Sequence, residues 1–236
     1  VHGVIGSSHT FMGEEAAGVE AVRIAYARIA AGQSDIALVG GSMNAERKDL
    51  LMLYEFGGYL LKDAFRPVWE RGPAGGFALA SLGAFLVLEE RGHAEKRGAQ
   101  PLARLSAVES AWAHRDPGAI EASLGRMWDT LPAGGAGAAV LSGATGAEPA
   151  TSEERNFLKA RGLPVRATGT HVGHGMEPQF PMNIGLAALA VARGKLFPPC
   201  DGAGVEAPYE GALDRIIVTS VGHFRGEGLA VVEAVR

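Results

Sequence analysis

Along the chain, stretches with apolar residues at helical spacing alternate with short, continuous apolar runs. Residues 14–31 are rich in good helix formers with small apolar side chains on one face, which predicts a buried helix. The apolar run Ile36 to Val39 follows a polar turn and precedes Gly40 and Gly41, a pattern typical of a buried strand that the glycines end. A helix followed by a buried strand is an α/β unit.

The same reading continues to the end of the chain. Further helices are predicted at 50–61, 89–97, 117–130, 152–160 and 181–193. Strands are predicted at 76–90, 102–108, 138–141, 216–220 and 229–235. Alternating helices and strands predict a layered α/β/α architecture with mixed sheets.

Composition narrows the possible functions. With 236 residues, 47% of them hydrophobic, the chain can bury the core of one large domain or two small ones. A formal charge of −4 and 7% aromatic residues argue against nucleic-acid binding, which needs a basic field. Cys200 is the only cysteine, which excludes an internal disulfide and a multi-cysteine metal cage and favours a reducing cytoplasm.

No apolar run approaches the roughly 20 residues that span a bilayer, and the first residues, Val1 to Gly3, lack a signal-peptide layout. We therefore expect a soluble protein without a membrane span. A start at valine also suggests a processed or truncated chain.

Four blocks of the sequence, which begin at Glu20, Phe65, Thr170 and Ile216, resemble in this order segments of the β-ketoacyl-acyl-carrier-protein synthases. The first is EAVRIAYARIAAGQSDIALVGGSMNA, which resembles the segment after the family's nucleophile. The second is FRPVWERGPAGGFALASLGAFLVLEERGHAEKRGA, which is similar to R-P-F-D...G-F...G-E-G-A-G-V-L-V-L-E-E. The third is THVGHGMEPQFPMNIGLAALAVARGKLFPP, which is similar to S-x-T-G-H-x-x-G-A-A-G...P-P. The fourth is IIVTSVGHFRGEGLAVVEAVR, which resembles the closing N-S-F-G-F-G-G-x-N segment.

The resemblance covers nearly all 236 residues. It implies the thiolase fold, in which two related α/β halves pack as a layered sandwich. Residues 1–90 would be the end of the first half, truncated at its N-terminus, and residues 91–236 would be a nearly complete second half.

The resemblance also places the reactive positions. In the family motif T-A-C-A-[ST]-G, a cysteine at a helix N-terminus accepts the acyl group. Counting back from Gly41 without gaps puts Glu15 at the position of this cysteine. A carboxylate is too weak a nucleophile to hold an acyl chain through a condensation. Without the family, Glu15 is an acidic first-turn residue that balances the helix dipole.

The other catalytic positions are partly rewritten. The family's first histidine aligns at or near Gly143, and its lysine aligns with Gly169. The second histidine is retained as His174, while His223 takes the place of the phenylalanine at the gate of the pocket and Glu227 that of the motif's asparagine. We expect Glu15 and His174 to face each other across one pocket. A lone histidine is otherwise most often a structural residue.

Two other readings come from the residues alone. His171, His174 and His223 could imitate a zinc site, but the segment is glycine-rich and lacks the remaining ligands, so no metal is predicted. The glycine-rich run 133–140 is similar to a phosphate loop, but it precedes a strand instead of linking a strand to a helix. Cys200 has no evident base beside it and is expected to be an ordinary cysteine.

Together these residues imply a ketosynthase-like protein of fatty-acid or polyketide biosynthesis that has lost its nucleophile. The resemblance is closest to the chain-length factors, which pair with an active synthase and do not condense acyl groups. The implied partners are an acyl carrier protein or acyl thioester, a second copy or an active ketosynthase, and a separate N-terminal fragment. No cofactor is implied, and the expected compartment is the cytoplasm.

Two enzymatic alternatives remain open. The first is decarboxylation of a malonyl carrier with His174 assisting. The second is a divergent but active 3-oxoacyl synthase, an acyltransferase, which would require a different residue at the nucleophile position. Whether the chain is an enzyme therefore stays undecided at this stage.

Overall fold

The computed structural model of the chain describes residues 6–133 and 137–235. Within these ranges the chain forms seven strands: β1 (Ile36–Met43), β2 (Leu82–Glu89), β3 (Arg104–Ala111), β4 (Ala138–Ser142), β5 (Val165–Ala167), β6 (Arg215–Val221) and β7 (Glu227–Glu233). The described residues also form a short 3-10 helix (Val68–Glu70) and seven α-helices: α1 (Glu15–Ala30), α2 (Lys48–Phe56), α3 (Arg91–Lys96), α4 (Ala119–Thr130), α5 (Ala150–Arg161), α6 (Gly169–Val172) and α7 (Gln179–Arg193). Among the described residues, no helix is long and apolar enough to cross a membrane.

The strands form two separate sheets. The larger sheet has the order β3-β7-β6-β4-β5, in which β4 is parallel to β5 and β6, while β7 is antiparallel to β6 and β3. Strand β6 runs through the middle of this sheet, and every one of its residues is buried. The smaller sheet is the antiparallel pair β1-β2, whose outer edges have no strand partner within the described parts of the chain.

Helices α1 and α7 lie side by side between the two sheets. Val19 and Val22 of α1 and Ile184 and Ala187 of α7 share one apolar core with the inner faces of both sheets. Helices α4 and α5 cover the opposite face of the larger sheet with a second core. Burying each such aliphatic side chain stabilises the fold by about 1.5–3 kcal/mol, which is why these faces are apolar at helical spacing. The predicted layered α/β/α architecture is confirmed.

Three predicted elements differ from the observed bounds by four or more residues at one end. Strand β1 does not end at Gly40 and Gly41 but continues to Met43, and a Cβ on Gly40 would lie 2.0 Å from the carbonyl oxygen of Ala84 on β2. The glycine therefore lets two strands approach and does not stop one. The predicted helix 50–61 ends at Phe56, and the predicted strand 76–90 is regular only from Leu82 onward. Strand β5 and helix α6 were not predicted, because three- and four-residue elements carry too little periodicity.

Residues 77–80, just before β2, form a strap between two other segments. Phe77 bridges to Leu60, and Leu79 bridges to His174. Main-chain bonds run from His174 N–H to the carbonyl of Ala78 (2.8 Å) and from Ala80 N–H to the carbonyl of His174 (2.9 Å). The strap thus fixes the backbone of His174 independently of its side chain.

Candidate active site around Glu15

Glu15 is the first residue of α1 and is only 2% exposed. A carboxylate at this position faces the positive end of the helix dipole, which stabilises its charge. Buried carboxylates are expensive unless they are hydrogen-bonded, so the neighbours of Glu15 decide whether it is ionised.

His174 supplies the shortest of these contacts. Its Nε2 lies 2.7 Å from Oε1 of Glu15, and the histidine itself is 1% exposed. Gly173 precedes it with a φ of +75°, and a Cβ there would lie 2.8 Å from the carbonyl oxygen of Ala78. Glycine is therefore needed at position 173 for the turn that delivers the histidine to the strap.

His223 reaches the same carboxylate from the turn between β6 and β7. Its Nδ1 lies 3.0 Å from Oε1 and 3.2 Å from Oε2 of Glu15, and its backbone N–H donates to Oε1 at 3.4 Å. The other ring nitrogen, Nε2, lies 3.2 Å from Oε1 of Glu14. The structure thus brings together three of the predicted site residues, Glu15, His174 and His223.

Three aromatic rings enclose His223. The ring centroids of Tyr54, Tyr59 and Phe77 lie 5.5, 4.5 and 5.3 Å from that of His223, each in an edge-to-face arrangement. Phe77 also lies 5.3 Å from His174. Sequence reasoning missed these three residues, because they belong to segments that become neighbours only through the strap.

The charged groups of this cluster shift each other's pKa values. Burial alone would raise the pKa of Glu15, but the hydrogen bonds with His174 and His223 hold this pKa well below its ordinary value. Burial would lower the pKa of His223, but its contacts with Glu14 and Glu15 raise it to about 9. Burial and the charges of Glu15 and Glu14 raise the pKa of Glu177, a further acidic neighbour. At neutral pH the centre of the cluster is therefore a carboxylate facing an imidazolium.

Within the described residues, the side chains that bond the Glu15 carboxylate are those of His174 and His223, and neither is a thiol. Both oxygens of Glu15 are engaged by donors, and an ionised carboxylate of low basicity is a poor acyl acceptor. Cys200, the only thiol in the sequence, is exposed in the loop after α7. Its backbone N–H donates to Glu206, and the structure shows no base beside its thiol among the described contacts.

Backbone carbonyl groups lie close to Gly143 and Gly169, the two positions where the resemblance aligns a histidine and a lysine. A Cβ on Gly143 would lie 2.7 Å from the carbonyl oxygen of Thr219. A Cβ on Gly169 would lie 2.9 Å from the carbonyl oxygen of Ala144. Neither position has room for a larger side chain without a shift of the main chain. At both positions where the resemblance puts a catalytic side chain, the backbone therefore favours glycine.

His171 does not join a zinc site with His174 and His223, because it is exposed and packs its ring against Phe197. Instead, Glu14, Glu15 and His223 offer ligand atoms within 4.8 Å of one another. These atoms are already paired with each other, and the positive end of α1 disfavours a cation, so the geometry favours a hydrogen-bonded ion pair. The glycine-rich run 133–140 lies partly outside the described residues, and its described end leads directly into β4.

Glu227, aligned with the motif's asparagine, belongs to a separate buried network. Arg115 Nη1 lies 2.6 Å from Oε1 of Glu227, whose side chain is fully buried. The backbone N–H of Ala113 (2.9 Å) and the hydroxyl of Ser123 (3.2 Å) donate to its other oxygen. These contacts anchor the start of β7 to the segment after β3, so Glu227 acts in the structure of the sheet.

Solved structures with the same architecture are found among ketosynthases. One is a type II polyketide-synthase acyl-carrier protein in complex with its ketosynthase bound to the hexaketide (AntDE:AntF), with a TM-score of 0.81 and 20% identity over 99% of this chain and 64% of that one. Another is the ishigamide ketosynthase/chain length factor, with a TM-score of 0.76 and 20% identity over 94% of this chain and 60% of that one. A third is the oxazolomycin ketosynthase domain OzmH KS7 of Streptomyces albus JA3453, with a TM-score of 0.81 and 16% identity over 98% of this chain and 47% of that one.

No protein-family model and no curated protein matches the sequence. The chain spans less than two thirds of the length of the three structures described above. At these identities the likeness concerns the fold, and it covers nearly the whole chain. The chain has the thiolase-like fold of the ketosynthases.

Proposed function

We propose that this chain is a non-condensing ketosynthase-fold subunit of fatty-acid or polyketide assembly, comparable to a chain-length factor. The observation that carries the proposal is the carboxylate of Glu15, held by His174 and His223 at the position where the resemblance puts the nucleophile. A buried ion pair at this point leaves no thiol to accept an acyl group.

The same proposal includes a division of the chain into two halves and a set of partners. Residues 1–90 would belong to the first half and 91–236 to the second half of a thiolase-like protein. The proposed partners are an acyl carrier protein and a cysteine-bearing ketosynthase or a second copy, in the cytoplasm. Two of the structural neighbours support this choice, since one is a complex with an acyl-carrier protein and the other is a ketosynthase/chain length factor.

Incubation with malonyl-pantetheine and acyl-pantetheine thioesters tests the proposal. A non-condensing subunit should show no added acyl mass by intact mass spectrometry and no acetyl-pantetheine by chromatography. A Cys200→Ser variant is the matched control, because it removes the only thiol that could take up label by non-enzymatic exchange. An acyl adduct that persists in this variant and maps to the start of α1 would contradict the proposal.

Decarboxylation of a malonyl carrier is a second candidate, and one observation favours it. While Nε2 of His174 contacts Glu15, its Nδ1 is buried without a hydrogen-bond partner among the described residues. A free ring nitrogen could assist the loss of carbon dioxide from a bound malonyl group. In the same incubation, acetyl-pantetheine formed without an acyl adduct, and lost in a His174→Ala variant, would replace the first proposal by this one. A condensed 3-oxoacyl product would instead indicate a divergent active synthase.

A further inference from the structure

Oxygen Oε1 of Glu15 is surrounded by hydrogen-bond donors of two independent segments. His174 approaches through Nε2 at 2.7 Å, and His223 approaches through Nδ1 at 3.0 Å and through its backbone N–H at 3.4 Å. The N-terminal end of α1 adds a positive partial charge on the same side. The groups that contact this oxygen are all donors, a set that favours an anion, while the carboxylate of Glu14 lies on the far side of His223, 3.2 Å from its Nε2.

These donors are held in place by contacts that do not involve Glu15. The backbone of His174 is fixed by its two bonds to the strap, at Ala78 and Ala80. His223 is held from its far side by Nε2, 3.2 Å from Glu14, and by the edge of Tyr59. Removing the side chain of Glu15 would therefore leave the backbone of His174 and the contact of His223 with Glu14 unchanged.

Leaving these donors without an acceptor would be costly. Glu15, His174 and His223 are each no more than 3% exposed, so bulk water does not replace a lost partner easily. A pre-organised, buried and unpaired set of donors binds a small anion well, because the ordering has already been achieved.

We propose that this pocket is a binding site for a small carboxylate and that Glu15 fills it as a ligand built into the chain. The wild-type protein thereby excludes external carboxylic acids, including the free carboxylate of a malonyl group, from the position beside His174. The site would accept acetate, or a malonyl group by its carboxylate, once the Glu15 side chain is shortened. This inference rests on the proposed function in one respect, since both require the Glu15 carboxylate to occupy the acyl position.

Acetate titration of a Glu15→Ala variant tests the proposal. Saturable shifts of the His223 ring resonances and a rise in the thermal midpoint with acetate are expected, with a Kd on the order of millimolar for so small a ligand. Sodium chloride at equal ionic strength controls for screening, and acetamide controls for shape without charge. Because no acyl transfer is measured, failure here and failure of the acylation test are distinguishable.

Glu14→Ala is the matched control variant. It also removes a carboxylate that contacts His223, but from the side where the acid is 30% exposed. The wild type and Glu14→Ala should show no saturable response to acetate. An equal response in all three proteins, or an equal response of Glu15→Ala to acetamide, would overturn the proposal.

If the Glu15→Ala variant does not fold in sodium chloride, refolding by acetate tests the same proposal. Acetate, and not acetamide, should then restore a dispersed NMR spectrum in proportion to its concentration. No restoration at concentrations on the order of a hundred millimolar, well above the expected Kd, would count against a carboxylate site.

Discussion

Glu15 and His223 stabilise each other's charged forms, which makes the stability of the fold depend on pH in both directions. The folded pKa of His223, about 9, lies above its ordinary value of 6.5, so its stabilising contribution is complete below about pH 6.5 and is lost as the pH rises through 9. The pKa of Glu15 is lowered by its histidine contacts, so its contribution is present above pH 4.5 and is lost on acidification. Stability from this pair should be greatest between these limits.

Replacing Glu15 by glutamine should flatten the alkaline side of this profile. The amide is nearly isosteric but carries no charge, so the pKa of His223 should fall toward its ordinary value, although Glu14 still contacts the ring. The loss of stability of the wild type between pH 6.5 and 9, at most roughly 3 kcal/mol, should shrink in the variant. Urea unfolding at several pH values and NMR titration of His223 provide the measurements.

A His171→Gln variant is the control for this experiment, since His171 is exposed and lies outside the cluster. Its stability profile should follow that of the wild type. Identical His223 titrations in the wild type and the Glu15→Gln variant would show that the charged pair does not exist in solution.

Arg115 and Glu227 form a largely buried ion pair, and breaking it should cost more stability than breaking an exposed ion pair. Replacing Arg115 by methionine would leave the carboxylate of Glu227 without its cation in a fully buried position, at a cost of about 3–5 kcal/mol. Replacing Arg47 by methionine, which breaks an exposed pair with Asp49, should have no measurable effect. Equal free energies of unfolding for the two variants would contradict the buried role of Glu227.

At the scale of elements, the strap 77–80 and the turn at Gly173 decide where His174 lies. The backbone bonds between the strap and His174 exist only if residue 173 adopts a positive φ and approaches Ala78 closely. Positive φ alone favours glycine, and the close contact adds a steric requirement. The position of the histidine therefore depends on a residue without a side chain.

A Gly173→Ala substitution should lower the free energy of unfolding by roughly 2–4 kcal/mol, because the alanine would carry both backbone strain and a clash with Ala78. It should also disturb the His223 resonances. Gly98→Ala is the matched control, since Gly98 has nearly the same φ of +71° but nothing within 4 Å of the added Cβ. It should cost only about 1 kcal/mol, the strain alone. Thermal unfolding measures both, and similar losses would show that the strap contact carries no weight.

At the scale of the whole molecule, the small sheet presents an apolar face to solvent. Leu38 on β1 and Phe85 and Val87 on β2 are 61%, 63% and 60% exposed, although neighbouring residues of the same strands pack on α1 and α7. An exposed apolar face beside unpaired strand edges favours association with another polypeptide. We therefore expect the small sheet, including β1, to take part in assembly.

Light scattering at micromolar concentration should therefore detect a dimer or a larger species. A Leu38→Lys, Val87→Glu double variant should shift the protein toward the monomer, because the two positions lie opposite each other in the register and would present charges on that face. Exposed Met52 on α2 offers a control position, since Met52→Lys alters an apolar residue outside the cleft that Phe85 and Val87 line. A monomeric wild type would argue against association through this face.

The local pattern of apolar and polar residues determined most of the helices and strands, because helix propensity and runs of β-branched residues depend only on residues that are near in the sequence. It placed α1, α7 and the central strands within a few residues of their observed bounds. Short β5 and α6 and the strap 77–80 escaped it, since bridges such as Leu79 with His174 join residues far apart in the chain. Likewise, the motif alignment put Glu15 and His174 in one pocket, but it could not supply the 2.7 Å contact or the aromatic rings around His223. Those depend on burial, which is a property of packed layers and not of any segment, and burial is what makes the charge of Glu15 depend on its histidine partners.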